Sequence, residues 1–245
     1  MMGGPKVKHK FPVVPDIGLK VHKTFKTEHT YFDKIWKFNV RSQPEANISR
    51  GCLTYYKAMW DGTLPLSLTP EDIVLDVGAH VGFFAIPISS QVWRVVAYEP
   101  SPANHKLLER NMRLNKVGNV IAVHAAIAPS TGPVTLNLGV QGTTGHSISN
   151  KKRGGVSVEV PGVSIADAID RWQPTVLKLD CEGAEWGILS QLSHIQGVRM
   201  ILAELHKVKP SQLAALKKLL KLTGYTYKIK SNSWFSKLTA YKQGE

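Results

Sequence analysis

The stretch Asp72-Ile-Val-Leu-Asp-Val-Gly-Ala-His-Val-Gly82 decides the reading of this chain. Asp72 to Val77 is a short apolar run of strand character. Gly78 to Gly82 is a glycine-bearing turn, and Phe83 to Gln91 reads as helix. A strand that runs through a tight turn into a helix is the opening unit of a parallel sheet with crossover helices. Gly78 and Gly82 let the backbone turn sharply and approach a ligand where a Cβ would obstruct it. Their spacing is Gly-x-x-x-Gly. It matches neither the Gly-x-Gly-x-x-Gly of dinucleotide binding nor the Gly-x-x-x-x-Gly-Lys-Ser/Thr of a P-loop, which sets aside nicotinamide dehydrogenases and P-loop hydrolases.

The rhythm continues toward the C-terminus. Strands are predicted at Arg94–Tyr98, Asn119–Ala125, Thr175–Leu179 and Val198–Ala203, with helices near Pro102–Asn115, Ser164–Trp172, Ala184–Leu192 and Ser211–Leu222. Pro133–Leu138 and Val156–Val160 have strand character and flank a Gly/Ser/Thr loop, Gly139 to Gly155. Two strands, Tyr225–Ile229 and Ser236–Tyr241, end the chain without an intervening helix. The expected fold is α/β and Rossmann-like, a doubly wound and mostly parallel sheet with an antiparallel C-terminal hairpin. In such sheets the ligand lies beyond the carboxyl ends of the strands. Toward the N-terminus, residues 1–25 read as an irregular basic arm. From Thr30 to Gly62 aromatic residues interleave with charges, which predicts one or two amphipathic helices. The division is then a basic N-terminal extension, residues 1–62, packed on a core domain, 63–245.

Composition narrows the classes. The chain has 245 residues, 43% hydrophobic and 20% charged, which excludes a disordered or fibrous protein. No apolar run approaches the roughly 18 residues of a membrane span. The basic start lacks an apolar segment after it, so a secretory signal is not expected, and Asn47-Ile-Ser49 reads as a chance match to a glycosylation acceptor. Two cysteines, Cys52 and Cys181, cannot build a disulfide framework, and a cytoplasmic setting is expected. The net charge of +13 is unevenly placed: residues 1–60 carry +7, 61–206 carry −2 and 207–245 carry +8. If the ends meet, they make a positive face suited to an acidic partner; otherwise they are a solvated surface.

Glu99 ends the second strand, 23 residues after Asp76. A carboxylate there can accept hydrogen bonds from both hydroxyls of a ribose. Asp76, at the tip of the first strand, can accept from the ammonium of a methionine-like tail. The alternative is that both acids cap the helices that follow them.

Three segments resemble the FkbM family of S-adenosylmethionine-dependent methyltransferases. They are Asp76–Gly82, Tyr98-Glu-Pro-Ser-Pro102 with Leu107 to Asn115, and Lys178-Leu-Asp-Cys-Glu-Gly-Ala-Glu185. The likeness covers about residues 70–206 and leaves out both basic ends. It implies a class I fold with a seven-stranded sheet and a reversed last strand. It implies S-adenosyl-L-methionine as cofactor, held at Asp76, Gly78, Ala79, Gly82, Glu99, Pro100 and Ala125. It also implies methyl transfer, usually to a hydroxyl oxygen of a sugar or related group. Members usually carry Asn where this chain has His80, so no side-chain contact is carried over there.

The block Lys178–Glu185 leaves the fourth strand and enters a helix, which puts Asp180 and Glu182 at the sheet's carboxyl edge. Methyl transfer depends on positioning, and a hydroxyl nucleophile benefits from a base. Asp180, Glu182 and His206 are the candidates, with a solvated loop as the other reading of His206. The leading expectation has no metal, although paired acids can hold a divalent ion. Glu185 reads as a first-turn acid favoured by the helix dipole. Lys178, two positions before the acids, can pair with one of them. Cys181 sits beside acids that raise a thiol's pKa, so it is not read as a nucleophile. Gly139 to Ser147 is a candidate substrate lid or a surface hairpin, and Lys151-Lys-Arg153 adds charge to it.

The expected acceptor is a hydroxylated metabolite or glycan, anionic if the basic ends serve it. The second reading is a nucleic-acid (RNA) methyltransferase whose basic termini bind phosphates. A protein that keeps the fold without catalysis is the third.

Overall fold

Residues 67–138, 148, 156–191, 195, 197–231 and 235–242 are described by the structure, a computed structural model, together with the backbone of three earlier strands. Those strands, β1 (Lys20–Phe25), β2 (Glu28–Phe32) and β3 (Lys37–Arg41), form an antiparallel sheet. Wherever the span Thr30–Gly62 is described it is therefore strand, not the expected helix. Lys37-Phe-Asn-Val-Arg41 shows why: polar and apolar residues alternate with the period of two that a strand requires. The 139–147 segment and Lys151-Lys-Arg153 lie outside the described residues.

The remaining elements, in chain order, begin with β4 (Ile73–Val77), α1 (Ala85–Ile88), β5 (Arg94–Tyr98), α2 (Pro102–Leu114) and β6 (Val120–Val123). Next come β7 (Ala126–Ala128), β8 (Gly132–Asn137), β9 (Ser157–Ser164), α3 (Ile165–Trp172) and β10 (Val176–Leu179). The last are α4 (Glu185–Leu189), β11 (Met200–His206), α5 (Pro210–Leu222), β12 (Tyr225–Ser231) and β13 (Phe235–Lys242).

Seven strands form the main sheet in the order β12-β13-β11-β10-β4-β5-β6. All pairings are parallel except those of β13, which runs antiparallel to both β11 and β12. The sheet is α/β with a reversed last strand, and the hairpin of β12 and β13 closes one edge, as expected, with β12 outermost. The strands predicted near 133–138 and 156–160 do not join it. They become β8 and β9 of a small separate sheet, ordered β7-β9-β8.

Each central strand buries both faces, which is why it reads as an unbroken apolar run. Val74, Val95, Ala97, Val176 and Leu202 pack with Ala85, Ile88 and Leu108 of α1 and α2. Their neighbours Leu75, Val96, Leu177, Leu179 and Ile201 pack with α3, α4 and α5 through Ile165, Ile169, Ile188, Leu216 and Leu220. Burying each such side chain contributes about 1.5–3 kcal/mol. Ser164 caps α3 by accepting from the Asp167 N–H at 3.0 Å, and Pro102 and Pro210 open α2 and α5.

Asp72, just before β4, clips the strands at their amino ends. Its Oδ1 accepts from Thr175 Oγ1 at 2.6 Å and Arg199 Nε at 2.9 Å, and Oδ2 accepts from the Thr69 N–H at 2.7 Å. The opposite, carboxyl edge is left to the loops after β4, β5, β10 and β11.

Candidate active site

The loops after β4 and β10 touch. At Gly78, with φ +81°, an added Cβ would lie 1.9 Å from the Asp180 carbonyl oxygen. At Gly82, φ +96°, it would lie 2.7 Å from Ile86 Cδ1 and 2.8 Å from Leu108 Cδ1. What crowds both glycines in this structure is the protein itself, so they set the loop's path before any ligand arrives. The Gly78 and Ala79 N–H groups both donate to the Tyr98 carbonyl at 3.0 Å, tying this loop to β5.

Glu99 follows β5 and is 4% exposed. Its Oε2 accepts from the His80 N–H at 2.8 Å and its Oε1 from the Ser101 N–H at 2.9 Å. Burial lifts its pKa to about 7, against those two N–H groups, Asn104 and Lys178, which favour the charged form. One firm hydrogen bond per oxygen leaves acceptor capacity for hydroxyl donors. His80 occupies the left-handed region at φ +54°, a conformation few side chains adopt and one that aims its N–H at Glu99. Pro100 presents its carbonyl to His124 Nε2 at 3.1 Å. Ala79 and Ala125 are each 3% exposed and belong to the packed wall.

Asp76 is fully buried, and Lys178 Nζ lies 2.9 Å from its Oδ1. Lys178 therefore pairs with Asp76 across the strands, not with the acids that follow it. Oδ2 of Asp76 has no hydrogen-bond partner among the described residues. Burial raises the pKa of Asp76, and Lys178 opposes the shift. An acid with an open acceptor, and a second acid one strand away, fit a ligand that carries an ammonium and a ribose.

Asp180, Glu204 and His206 come together where β10 and β11 end; one donor atom from each lies within 4.8 Å of the others. His206 Nε2 is 3.5 Å from Glu204 Oε1, and its Nδ1 is 3.1 Å from Glu185 Oε1. Burial raises Asp180 to about 6; Lys178 and His206 oppose the rise, while Glu204 and Glu182 add to it. Burial disfavours a charged His206, but hydrogen bonds to Glu185 and Glu204, with their charge and that of Asp180, hold it at about 11. Glu182 lies in the same loop at φ +55° but outside this three-residue group. Cys181 is a free thiol whose pKa is pushed up by burial and then by Glu185 and Asp180, in line with an unreactive residue.

Glu204 was missed in the sequence. The signal was there: in Ala203-Glu-Leu-His206 two polar residues two apart share one face of a strand. Glu185 is a first-turn acid of α4, as read, and does more. It accepts from the Cys181 N–H at 2.8 Å and the Gly183 N–H at 2.9 Å, fixing the loop that carries Asp180. His206 is not a solvated loop residue; it ends β11 with its side chain 18% exposed, and its carbonyl accepts from Trp186 Nε1 at 2.7 Å.

The methyltransferase FkbM domain matches residues 76–229 of this chain. A mouse (Mus musculus) tRNA (guanine(37)-N(1))-methyltransferase is 30% identical over 121 residues, 44% of this chain and 24% of its own. The chain thus spans about a quarter of that enzyme's length. The methyltransferase sdnD of Sordaria araneosa is 24% identical over 219 residues, 72% of this chain and 84% of its own. Among solved structures, M. jannaschii TYW2 in complex with AdoMet superposes with a TM-score of 0.54 at 14% identity. It covers 91% of this chain and 88% of that one, a likeness of fold. With the family matched from the first acid of the site to β12, this chain belongs to the FkbM methyltransferase family.

Proposed function

We propose that this chain is an S-adenosylmethionine-dependent methyltransferase that acts on a hydroxyl oxygen of a sugar, glycan or hydroxylated metabolite. The observation that carries the reading is the Asp180–Glu204–His206 group at the carboxyl edge, beside the loop that Gly78 presses against Asp180. A hydroxyl must lose its proton as it attacks, and this group offers oxygen acceptors there.

Each residue then has a part. Asp76 faces the ammonium of the cofactor and Glu99 accepts from its ribose hydroxyls. Gly78, Ala79 and Gly82 shape the loop between them, and Pro100 and Ala125 wall the adenosine side. When bound, S-adenosylmethionine supplies an electrophilic methyl carbon on a sulfonium sulfur. Asp180 takes the acceptor's proton, Glu204 and His206 orient the acceptor, and Glu182 adds negative charge to the same loop. Positioning of this kind supplies much of the barrier reduction in a displacement between two bound partners. We assign the catalytic domain to residues 63–245, with 1–62 as a basic extension on it. With two cysteines in the chain we assign it to the cytoplasm.

Methyl-labelled S-adenosylmethionine and a cell extract test the acceptor class. Label that resists nuclease and follows carbohydrate or small metabolites is the expected result. A second reading, an RNA acceptor, is favoured by the exposed Lys207 and Lys209 after β11 and Lys228 and Lys230 on β12, and by the mouse tRNA methyltransferase. Label released by nuclease would establish that reading and overturn the first.

A further inference from the structure

We propose that Asp180, Glu204 and His206 bind a divalent first-row metal ion of the Mn2+, Fe2+ or Zn2+ kind. The donor set is two carboxylates and one imidazole, drawn from the ends of two adjacent parallel strands. An O,O,N set suits these ions better than Mg2+ or Ca2+, which prefer oxygen alone. Bonds of about 2.0–2.2 Å place neighbouring donors of an octahedral ion about 3 Å apart and opposite ones about 4 Å apart. The 3.5 Å between His206 Nε2 and Glu204 Oε1 falls in that interval; the group as a whole spans 4.8 Å, so its donors would have to draw in by about half an ångström to share one ion.

Two further observations point to a ligand. Glu204 is 9% exposed, yet its Oε2 has no hydrogen-bond partner among the described residues. A buried carboxylate oxygen with nothing to accept from is costly unless a cation completes it. The second is the orientation of His206. Its Nδ1 is engaged by Glu185 Oε1 at 3.1 Å, which leaves Nε2 as the nitrogen facing Glu204. A carboxylate behind a histidine, fixing which nitrogen faces the ion, is the usual support of a metal-ligating imidazole, and binding would displace the Nε2 proton that the surrounding acids otherwise hold there. Glu185 is itself held by the Cys181 and Gly183 N–H groups, so the support is rigid.

Held there by Asp180, Glu204 and His206, the ion would supply Lewis-acid chemistry that eases loss of the acceptor's proton, which the carboxylate oxygen of Asp180 not bound to the ion would take. That role rests on the hydroxyl reading above; the binding itself does not.

The full chain, stripped with EDTA and dialysed, is titrated with Mn2+ by electron paramagnetic resonance and with Zn2+ by calorimetry. One saturable site is expected, with a nitrogen coupling in the pulsed Mn2+ spectrum. His206→Gln removes that coupling, and Glu204→Gln and Glu185→Gln each weaken binding about tenfold or more. Melting and S-adenosylmethionine binding report whether the variants fold; if Glu204→Gln does not, the nitrogen coupling of the unaltered chain and its loss in His206→Gln decide. Absence of saturable binding of either ion overturns the proposal, as does binding within twofold of the unaltered chain in His206→Gln and Glu204→Gln. Labelled RNA alongside one bound Mn2+ would overturn the hydroxyl reading and leave the site standing. Methyl transfer to a hydroxyl undiminished by EDTA would overturn the ion's part in the reaction.

Discussion

Lys178 Nζ lies 2.9 Å from Asp76 Oδ1, with side chains only 4% and 0% exposed. The parallel register of β10 on β4 sets Lys178 directly opposite Asp76. The same ammonium donates to the Gly78 carbonyl at 3.0 Å and lies 5.8 Å from the Phe84 ring centre. Burial works against its charge, but Asp76 and then Asp180 hold its pKa above the ordinary lysine value. One cation therefore fixes the buried acid, the glycine turn and the strand that delivers Asp180.

Removing that cation should leave Asp76 charged and unpaired in the core. Lys178→Met is expected to destabilise the protein by about 3–5 kcal/mol in urea unfolding. Adding Asp76→Asn removes the orphaned charge and should restore more than half of the loss. Affinity for S-adenosylmethionine should not return with stability, because the acid proposed to face the ammonium is gone. Full recovery of both would make the pair purely structural.

Glu99 predicts a pH dependence of cofactor binding. Its pKa of about 7 means that the carboxylate is half protonated near neutrality, and a protonated oxygen is a poorer acceptor for ribose hydroxyls. S-adenosylmethionine affinity, measured by calorimetry, should therefore rise as pH goes from 6 to 8. The contribution of Glu99 to stability has the opposite sign. Between its unfolded value of about 4.3 and its folded value the native state binds the extra proton, so its contribution falls as pH rises through that window. Glu99→Gln should weaken binding tenfold or more and flatten the profile. An unchanged slope in that variant would exclude Glu99 as its source.

Two glycines should respond oppositely to alanine. In Gly78→Ala the Cβ meets the Asp180 carbonyl at 1.9 Å, and φ of +81° is already strained for a side chain. The loops after β4 and β10 must separate, and we expect loss of cofactor binding with a fall of about 2 kcal/mol or more in stability. Gly187, inside α4, has open space around the added Cβ. Gly187→Ala should be neutral or stabilise by up to about 1 kcal/mol. Chemical denaturation of the two variants, side by side, checks the contrast.

The parts of this fold that local order determines were legible in the sequence. The run Asp72–Val77, the glycine turn and the acid ending the next strand follow one another along the chain, so spacing alone places them at one sheet edge. Lys178's partner was not legible, because its pairing with Asp76 is a register between strands a hundred residues apart. Glu204 was hidden for another reason: a single acid inside Met200–His206 breaks an apolar run and carries no motif. Residues 30–32 and 37–41 are strand where the interleaved aromatics of Thr30–Gly62 suggest helix, because aromatic content masks the period-two alternation.

Glu185 joins the two halves of the site, and its removal should be felt in both. Its Oε1 accepts from the Cys181 N–H and faces His206 Nδ1, while Oε2 accepts from the Gly183 N–H. The carboxylate is fully buried, so in Glu185→Ala these donors lose their partner where water does not reach readily. Each buried donor left unpaired costs about 1–3 kcal/mol, and a total loss of about 3 kcal/mol is expected. Glu185→Gln keeps one oxygen acceptor and should cost less than half as much. Hydrogen exchange separates loosening of the loop from a general weakening of the fold. The Cys181 and Gly183 amides should exchange faster in Glu185→Ala by a larger factor than amides of β4, which Glu185 does not touch. Equal acceleration in both places would mean that Glu185 serves overall stability and does not hold the Asp180 loop in particular.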